Sequence, residues 1–509
     1  MAEDRAMQTA DVSDQDLRAD ERSSAESDGP FHPRFIWFLT LLSGAVLWLR
    51  PLPSSLWLDE LVTWWVVKDS FSDAIHRAYD FQGQSIAYYV VAWLTRHIGS
   101  AEWVLRLPSL AAMTLAAYLM YRLARRLLDR EYARLTVFFF VLWPGLVFEA
   151  SNARPYAIAI LLVVASALAL VRWLDRPTGG RLVAFAALAA AIGYAHILYV
   201  FVLPAFLLYA IVRVRDGSTT ARTRSVVGAF GLVAAIDVGL LWQGLALLDR
   251  RDTINLPSSL SIDWLANVIT PTSIVAALVV GGGLAWLVRP WRLHIPEGER
   301  ASAILVLAWL FVPFAIEAGL ALTTQIHLLE VRYALMAVPA MVLVAAALLR
   351  SVAPPESRRI IAAILAIAAV VTLGGRLKYG EDWRWAASTA DGVSTPHTVV
   401  LLQPGLVESA QLDWFRDPER LSYLEAPASY YSFDARIVPV PYVATPDALA
   451  FLDRELSQLP ANTDRVLFVT RYNLGEFHPY LDGWLQANGW SVGPVRTDAN
   501  MVVAEYDRA

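Results

Sequence analysis

The sequence predicts a polytopic α-helical membrane protein with about eleven transmembrane helices and a small C-terminal α/β domain on the extracytoplasmic side. Composition is the first reason. Of 509 residues, 56% are hydrophobic and 17% charged, with a mean hydropathy of +0.44, whereas soluble domains usually carry about 25% charged residues. The second reason is a succession of apolar windows long enough to cross a bilayer. The third is a change of composition near residue 376, after which strand-like and amphipathic patterns replace long apolar runs. A net charge of −5 over this length leaves no electrostatic footprint for nucleic acid. The absence of cysteine excludes disulfides, thiolate catalysis and Cys-ligated metals.

Taken in order, residues 1–33 are expected to form a disordered acidic cytoplasmic tail. The first thirty positions hold nine acids against three arginines and almost no large apolar side chains. Such a segment cannot bury enough surface to fold, and nothing in it resembles a signal peptide. Residues 34–375 form the membrane part. Spans are expected near 35–50, 103–121, 134–149, 155–173, 182–197, 198–213, 225–247, 273–288, 302–322, 333–349 and 359–375. Loops such as YRLARRLLDREYAR, VRWLDRPTGGR and RVRDGSTTARTR belong to an alternating set of five with about eighteen arginines, against about four in the opposite short loops. The positive-inside rule therefore puts the arginine-rich loops and the N-terminus in the cytoplasm, and residues 376–509 outside.

The first outer loop, 51–102, is long for a connection. Within it DSFSDAIHRAYDFQ has helical periodicity and is expected to lie along the membrane interface, with Trp57, Trp64, Trp65 and Trp93 at headgroup depth. In residues 376–509, TVVLLQ, RVLFVTRY and MVVAEYD read as strands, and DALAFLDRELSQL as an amphipathic helix.

No P-loop, dinucleotide fingerprint or HExxH occurs in the chain, so a membrane-delivered substrate is a more natural expectation than a cytosolic nucleotide. Gly281–Gly283 fall inside a span and suit close helix packing. The most unusual local feature is LWLDELVTWW at 56–65, where Asp59 and Glu60 sit among Leu, Val and Trp. Charge in such a setting is costly unless it is solvated, paired or used. A carboxylate at a partly dehydrated interface is a candidate general base, although acids flanking a span are commonly just solvated.

These residues also carry a resemblance. WLDELVTWW followed by YDFQGQSIAYYVVAWLTRHIGSAEWVLRLPSLAA resembles the start of the glycosyltransferase C (GT-C) superfamily. More narrowly, it is similar to the bacterial protein O-mannosyltransferase and aminoarabinose transferase branch of the dolichyl-phosphate-mannose-protein mannosyltransferase family. Arg106-Leu107-Pro108-Ser109 matches the family's RLPS segment, while Gln84-Ser85-Ile86-Ala87-Tyr88-Tyr89 lacks the two prolines of the corresponding family segment. ASNARPYAIAILL, GYAHILYVFVLP, LEVRYALMAVPA and EDWRWAAS resemble further family segments in the family's order.

The resemblance implies transfer of a sugar from a polyprenyl-phosphate donor to an acceptor hydroxyl on a glycan, lipid or protein at the outer face. It makes Asp59 the base and Glu60 a positioning acid. Arg154, Arg332 and His196 become candidates to hold the donor phosphate, with His327 at similar depth but outside any matched segment. Arg154 and Arg332 have structural alternatives in interfacial snorkelling or pairing with Glu149 and Glu330. Gln84, Tyr88, Asn152, Glu149 and Glu317 are candidate substrate-binding residues. Asn152 stands where the family usually has an acid, with Glu149 one turn earlier as its replacement, which leaves a divalent metal open and assigns no other cofactor. Asp237 and Glu317 are intramembrane acids for which a helix-to-helix hydrogen bond is the competing reading. From another class, a lipid-linked-sugar flippase or a non-catalytic membrane scaffold would also fit a polytopic chain. The clustering of ionisable residues at outer span ends, without an internal repeat, favours the enzyme.

Overall fold

The computed structural model describes residues 33–83, 85–249, 272–288, 290, 292–293, 300–323, 330–374, 380–471 and 477–508. Helical segments occupy most of the described part of each of the eleven apolar stretches expected to span. By length and composition, six described helices can cross a membrane: Glu102–Leu127, Tyr156–Asp175, Ile197–Arg215, Thr223–Leu245, Arg300–Leu320 and Val331–Ser351. A seventh is the pair Arg130–Leu142 and Pro144–Ala150, bent by 69°. The bend has a local cause, because Pro144 holds Trp143 in extended backbone (ψ 123°) and restarts the helix as its first residue. The stretch around Gly193–Tyr199 also breaks: His196 is extended (φ −158°, ψ 116°), and Ile197–Val202 is a 3₁₀ turn.

Charges at the arginine-rich ends of these helices pair with one another. Arg350 bridges Asp129 (3.2 Å) and Glu131 (3.0 Å), and Asp175 receives Arg126 (2.8 Å) and Arg213 (3.2 Å). At Gly281 an added Cβ would lie 3.4 Å from the Cα of Ile361, so this glycine serves close helix packing.

At the opposite end, the first loop folds into three short helices, α1 (Leu58–Val67), α2 (Phe71–Arg77) and α3 (Ile86–Arg96). The expected headgroup position of the tryptophans needs correction for two of them. Trp65 is fully buried, its ring 4.8 Å from Phe81 and 5.2 Å from Tyr423 and covered by the Arg77 guanidinium at 4.5 Å. Trp57 is buried and donates to Asn152 Oδ1 (3.0 Å). Trp64 is half-buried and donates to the Ser429 carbonyl (3.0 Å). An indole is as well suited to an aromatic core with one polar partner as to a membrane surface, and local sequence does not distinguish the two.

The C-terminal part is a five-stranded mixed sheet. In chain order its strands are β1 (Thr398–Gln403), β2 (Arg436–Pro439), β3 (Arg465–Arg471), β4 (Trp490–Asp498) and β5 (Met501–Arg508). Their spatial order is β2-β1-β3-β5-β4, with β1 parallel to β2 and β3 and with β5 antiparallel to its neighbours. The expected strands are β1, β3 and β5. Sequence pattern missed β2, which is only four residues long, and β4, in which Gly493 and Pro494 fall within a register shift between Val492 and Val495 that interrupts the strand pattern.

The side-chain period of two divides the sheet's contacts. Val399 and Leu401 face helices Pro446–Ser457 and Phe477–Ala487, while Val400 and Leu402 face the helix Trp383–Val393. That second face also packs on Leu56, Leu61, Leu105 and Ala153. The sheet therefore shares one hydrophobic core with the first loop and the adjoining end of the helix Glu102–Leu127.

Candidate active site

Helix α1 begins where three polar side chains meet its N-terminus. Asp59 and Glu60 lie in its first turn, where the helix dipole favours negative charge. Glu60 reaches back to the Trp57 amide (3.4 Å), and Glu381, just before the sheet domain's first helix, accepts from the Leu58 amide (3.0 Å).

Glu60 is fully buried. Its Oε1 accepts from Arg106 Nε (2.8 Å) and from the Ala153 amide (2.8 Å), and its Oε2 pairs with Arg106 Nη2. Arg106, also fully buried, donates its remaining protons to the carbonyls of Pro51 (3.1 Å), Leu52 (2.7 Å), Ser54 (2.8 Å) and Ser55 (3.0 Å). The rigid five-donor fork of arginine suits this role, since it satisfies a buried carboxylate and gathers a loop at once. Thr63, one turn along α1, donates to the Ala153 carbonyl (2.9 Å). Glu60 and Thr63 thus grip both sides of the Ala153 backbone and deliver the next residue, Arg154, to Asp59.

Asp59 sits differently. Its Oδ2 is 3.1 Å from Arg332 Nη1 and 3.8 Å from Arg154 Nη2, and Arg154 also donates to the Asp59 carbonyl (3.4 Å). The Asp59 side chain is 23% exposed. The Nε atoms of both arginines are buried without a hydrogen-bond partner among the described residues. Burial disfavours the Arg154 charge, but Asp59, Tyr89 and Tyr156 outweigh that effect and hold its pKa well above the usual value.

Arg332 is anchored by its backbone, whose carbonyl accepts from Tyr199 Oη (3.0 Å), and its guanidinium lies 5.5 Å from the Tyr333 ring. His196 is fully buried among Tyr156, Tyr199 and Tyr333, with ring centroids 5.1, 4.8 and 5.6 Å away. Neither of its nitrogens is hydrogen-bonded within the described residues. Tyr88 on α3 is fully buried, and burial pushes its hydroxyl pKa well up.

The structure thus brings Asp59, Arg154 and Arg332 into direct contact, although 95 and 273 positions separate the acid from the two arginines. Glu149 and Asn152 form a second group: Asn152 Nδ2 donates to Glu149 Oε2 (3.0 Å) while its Oδ1 receives Trp57. An amide suits this place because it donates on one side and accepts on the other. Glu317 is buried, with neither carboxylate oxygen hydrogen-bonded among the described residues. Gln84 and His327 lie outside the described residues. No cluster of three or more His, Asp or Glu side chains able to hold a metal ion occurs among the described residues. Arg106 and Glu381 were not expected as site residues. Arg106 could be noticed only as part of RLPS, and Glu381 only as the acid preceding DWR.

Comparison with known proteins agrees with this architecture. A sequence profile described as dolichyl-phosphate-mannose-protein mannosyltransferase matches residues 85–242. Among solved structures, ArnT from Cupriavidus metallidurans bound to undecaprenyl phosphate superposes with a TM-score of 0.55 at 13% identity, covering 92% of this chain and 97% of that one. The apo state of the same protein gives 0.54 at 13% identity with the same coverage. No curated protein sequence matches significantly. The chain is a multi-pass membrane protein that shares the fold of ArnT.

Proposed function

We propose that this protein is a GT-C glycosyltransferase that moves a sugar from a polyprenyl-phosphate donor to an acceptor hydroxyl, on the outer face of a bacterial inner membrane, with Asp59 as general base. In this reading the N-terminus is cytoplasmic and residues 376–509 are extracytoplasmic. The carrying observation is the convergence of Arg154 and Arg332 on the partly exposed carboxylate of Asp59. The profile match and the fold shared with an undecaprenyl phosphate-bound protein add support.

The chemistry follows from these groups. The acceptor hydroxyl gives its proton to Asp59 as its oxygen attacks the anomeric carbon, and the bond from that carbon to the phosphate oxygen breaks. The leaving phosphate is already a good one, so the main demand is stabilisation of its growing charge. Two permanently charged guanidiniums meet that demand, because the arginine fork matches phosphate oxygens. His196 and Tyr88 line the same region as candidate sugar or phosphate contacts, and Glu60 sets the backbone on which Arg154 is carried. Glu149, Asn152, Glu317 and Gln84 remain candidate substrate contacts.

The test compares envelope glycans and lipids by mass spectrometry in cells with the gene, without it, and carrying Asp59→Asn. A product that disappears with the gene should fall by about 10²- to 10⁴-fold in the Asn variant, the usual contribution of a general base, at unchanged protein abundance. Undiminished product from the variant would instead favour transport or scaffolding.

A further inference from the structure

Three consecutive backbone amides lead into the helix that carries Asp59, and a side chain takes each one. The Leu56 amide donates to Tyr431 Oη (2.9 Å), the Trp57 amide to Glu60 (3.4 Å) and the Leu58 amide to Glu381 (3.0 Å). Two of the three acceptors belong to the C-terminal domain, more than 320 positions away in the chain. Orphan amides at a helix start are ordinarily capped by a neighbouring residue or by water. Here the C-terminal domain supplies two of the three acceptors.

Glu381 is well constrained. It is buried, and its Oε2 also accepts from Trp383 Nε1 (3.1 Å) while Oε1 receives Arg471 Nη1 (2.8 Å) at the end of β3. The preceding Gly380 has φ +66°, and a Cβ there would lie 2.9 Å from Asn500 Nδ2. Its carbonyl is held by the Asn500 amide (2.7 Å) in the turn between β4 and β5. Following it, Asp382 accepts from the Trp385 amide (2.9 Å) and starts the helix Trp383–Val393. Arg384 then reaches the Pro53 carbonyl (2.9 Å) and Glu102 (2.5 Å). The carboxylate is therefore fixed by the sheet on one side and aimed at α1 on the other.

We propose that Glu381 is a positioning residue for Asp59: the C-terminal domain, acting through Glu381 with Tyr431 beside it, sets the start of α1 and hence the place of the Asp59 carboxylate between Arg154 and Arg332. The inference rests on Asp59 being the base. It assigns the outer domain a part in the chemical step. Positional errors near 1 Å can cost about 10²-fold in rate, so releasing the Leu58 amide should be felt in turnover and much less in donor binding.

The experiment uses the full-length protein with Glu381→Ala, Glu381→Gln, Tyr431→Phe and Asp59→Asn. It measures product per folded protein in cells lacking the native gene, undecaprenyl phosphate affinity by tryptophan fluorescence, and hydrogen exchange across 56–62. Glu381→Ala should lower product by about tenfold or more, speed exchange at 56–58 and leave the undecaprenyl phosphate Kd within about twofold. Glu381→Gln, whose amide oxygen can still accept from Leu58, should retain more product than the alanine variant. Wild-type product from Glu381→Ala overturns the proposal, as does a fall that only tracks folded protein with Gln giving no rescue. If the alanine variant does not accumulate, Tyr431→Phe carries the test, and wild-type product there overturns it. An active Asp59→Asn would sink the underlying reading, whereas an inactive one beside a fully active Glu381→Ala sinks this inference alone.

Discussion

Asp59 and Glu60 are consecutive acids on one helical turn, and both meet arginine, yet the two pairings are built to opposite specifications. Glu60 and Arg106 are each 0% exposed at the side chain, and further hydrogen bonds to Ala153, Trp57 and four carbonyls accompany their mutual contact. Asp59, Arg154 and Arg332 are 23%, 13% and 28% exposed, Asp59 lies 3.1 Å from Arg332 and 3.8 Å from Arg154, and the arginine Nε atoms have no hydrogen-bond partner among the described residues. A buried ion pair is tolerable only when its remaining protons and lone pairs are satisfied, which the first pair achieves. The second is partly exposed and less fully satisfied among the described residues, an arrangement suited to an anionic ligand. Chemical type is the same in both, so the degree of satisfaction separates scaffold from candidate site.

Breaking each side of this contrast should give different losses. Glu60→Ala strands the Arg106 charge in a dry setting and should cost about 3–5 kcal/mol of stability, read as a large fall in thermal midpoint or in membrane abundance. Asn152→Asp probes the region between the two pairs. It sets a carboxylate against Glu149 and removes the amide donor, so stability should fall by about 1–3 kcal/mol near neutral pH. Acidification should relieve the loss, because two facing carboxylates can then share a proton, and Glu149→Gln in the same chain should recover part of it. Arg332→Gln should have the smallest structural effect, about 1 kcal/mol or less, since its pairing is partly exposed. Product formation should nevertheless fall by at least about tenfold if one charge-assisted contact to phosphate is lost. Equal thermal losses for Glu60→Ala and Arg332→Gln would erase the distinction.

Much of the fold was legible in local pattern. Apolar windows marked each stretch that became a long helix, and arginine-rich loops marked the end where Asp129, Glu131 and Asp175 gather basic partners. Short apolar runs marked β1, β3 and β5. The failures have local causes too. The pattern places Trp57 and Trp65 at the membrane surface, since an indole's preference for a mixed environment does not say whether lipid or a partner such as Tyr423 supplies the apolar side. Strand β4 was missed because Gly493 and Pro494 interrupt its period.

The sequence by itself determined which segments are apolar, which end of them is basic, and that Asp59 and Glu60 stand where charge needs a reason. Only the tertiary structure decided that Glu60 would be sealed against Arg106, that Asp59 would face Arg154 and Arg332, and that Glu381 would cap the helix between them. Hydropathy and periodicity are properties of neighbouring residues, whereas an ion pair between positions 59 and 332 exists only after helix packing and a shared core bring distant backbones together. A charged side chain states that it needs a partner; the fold selects which one.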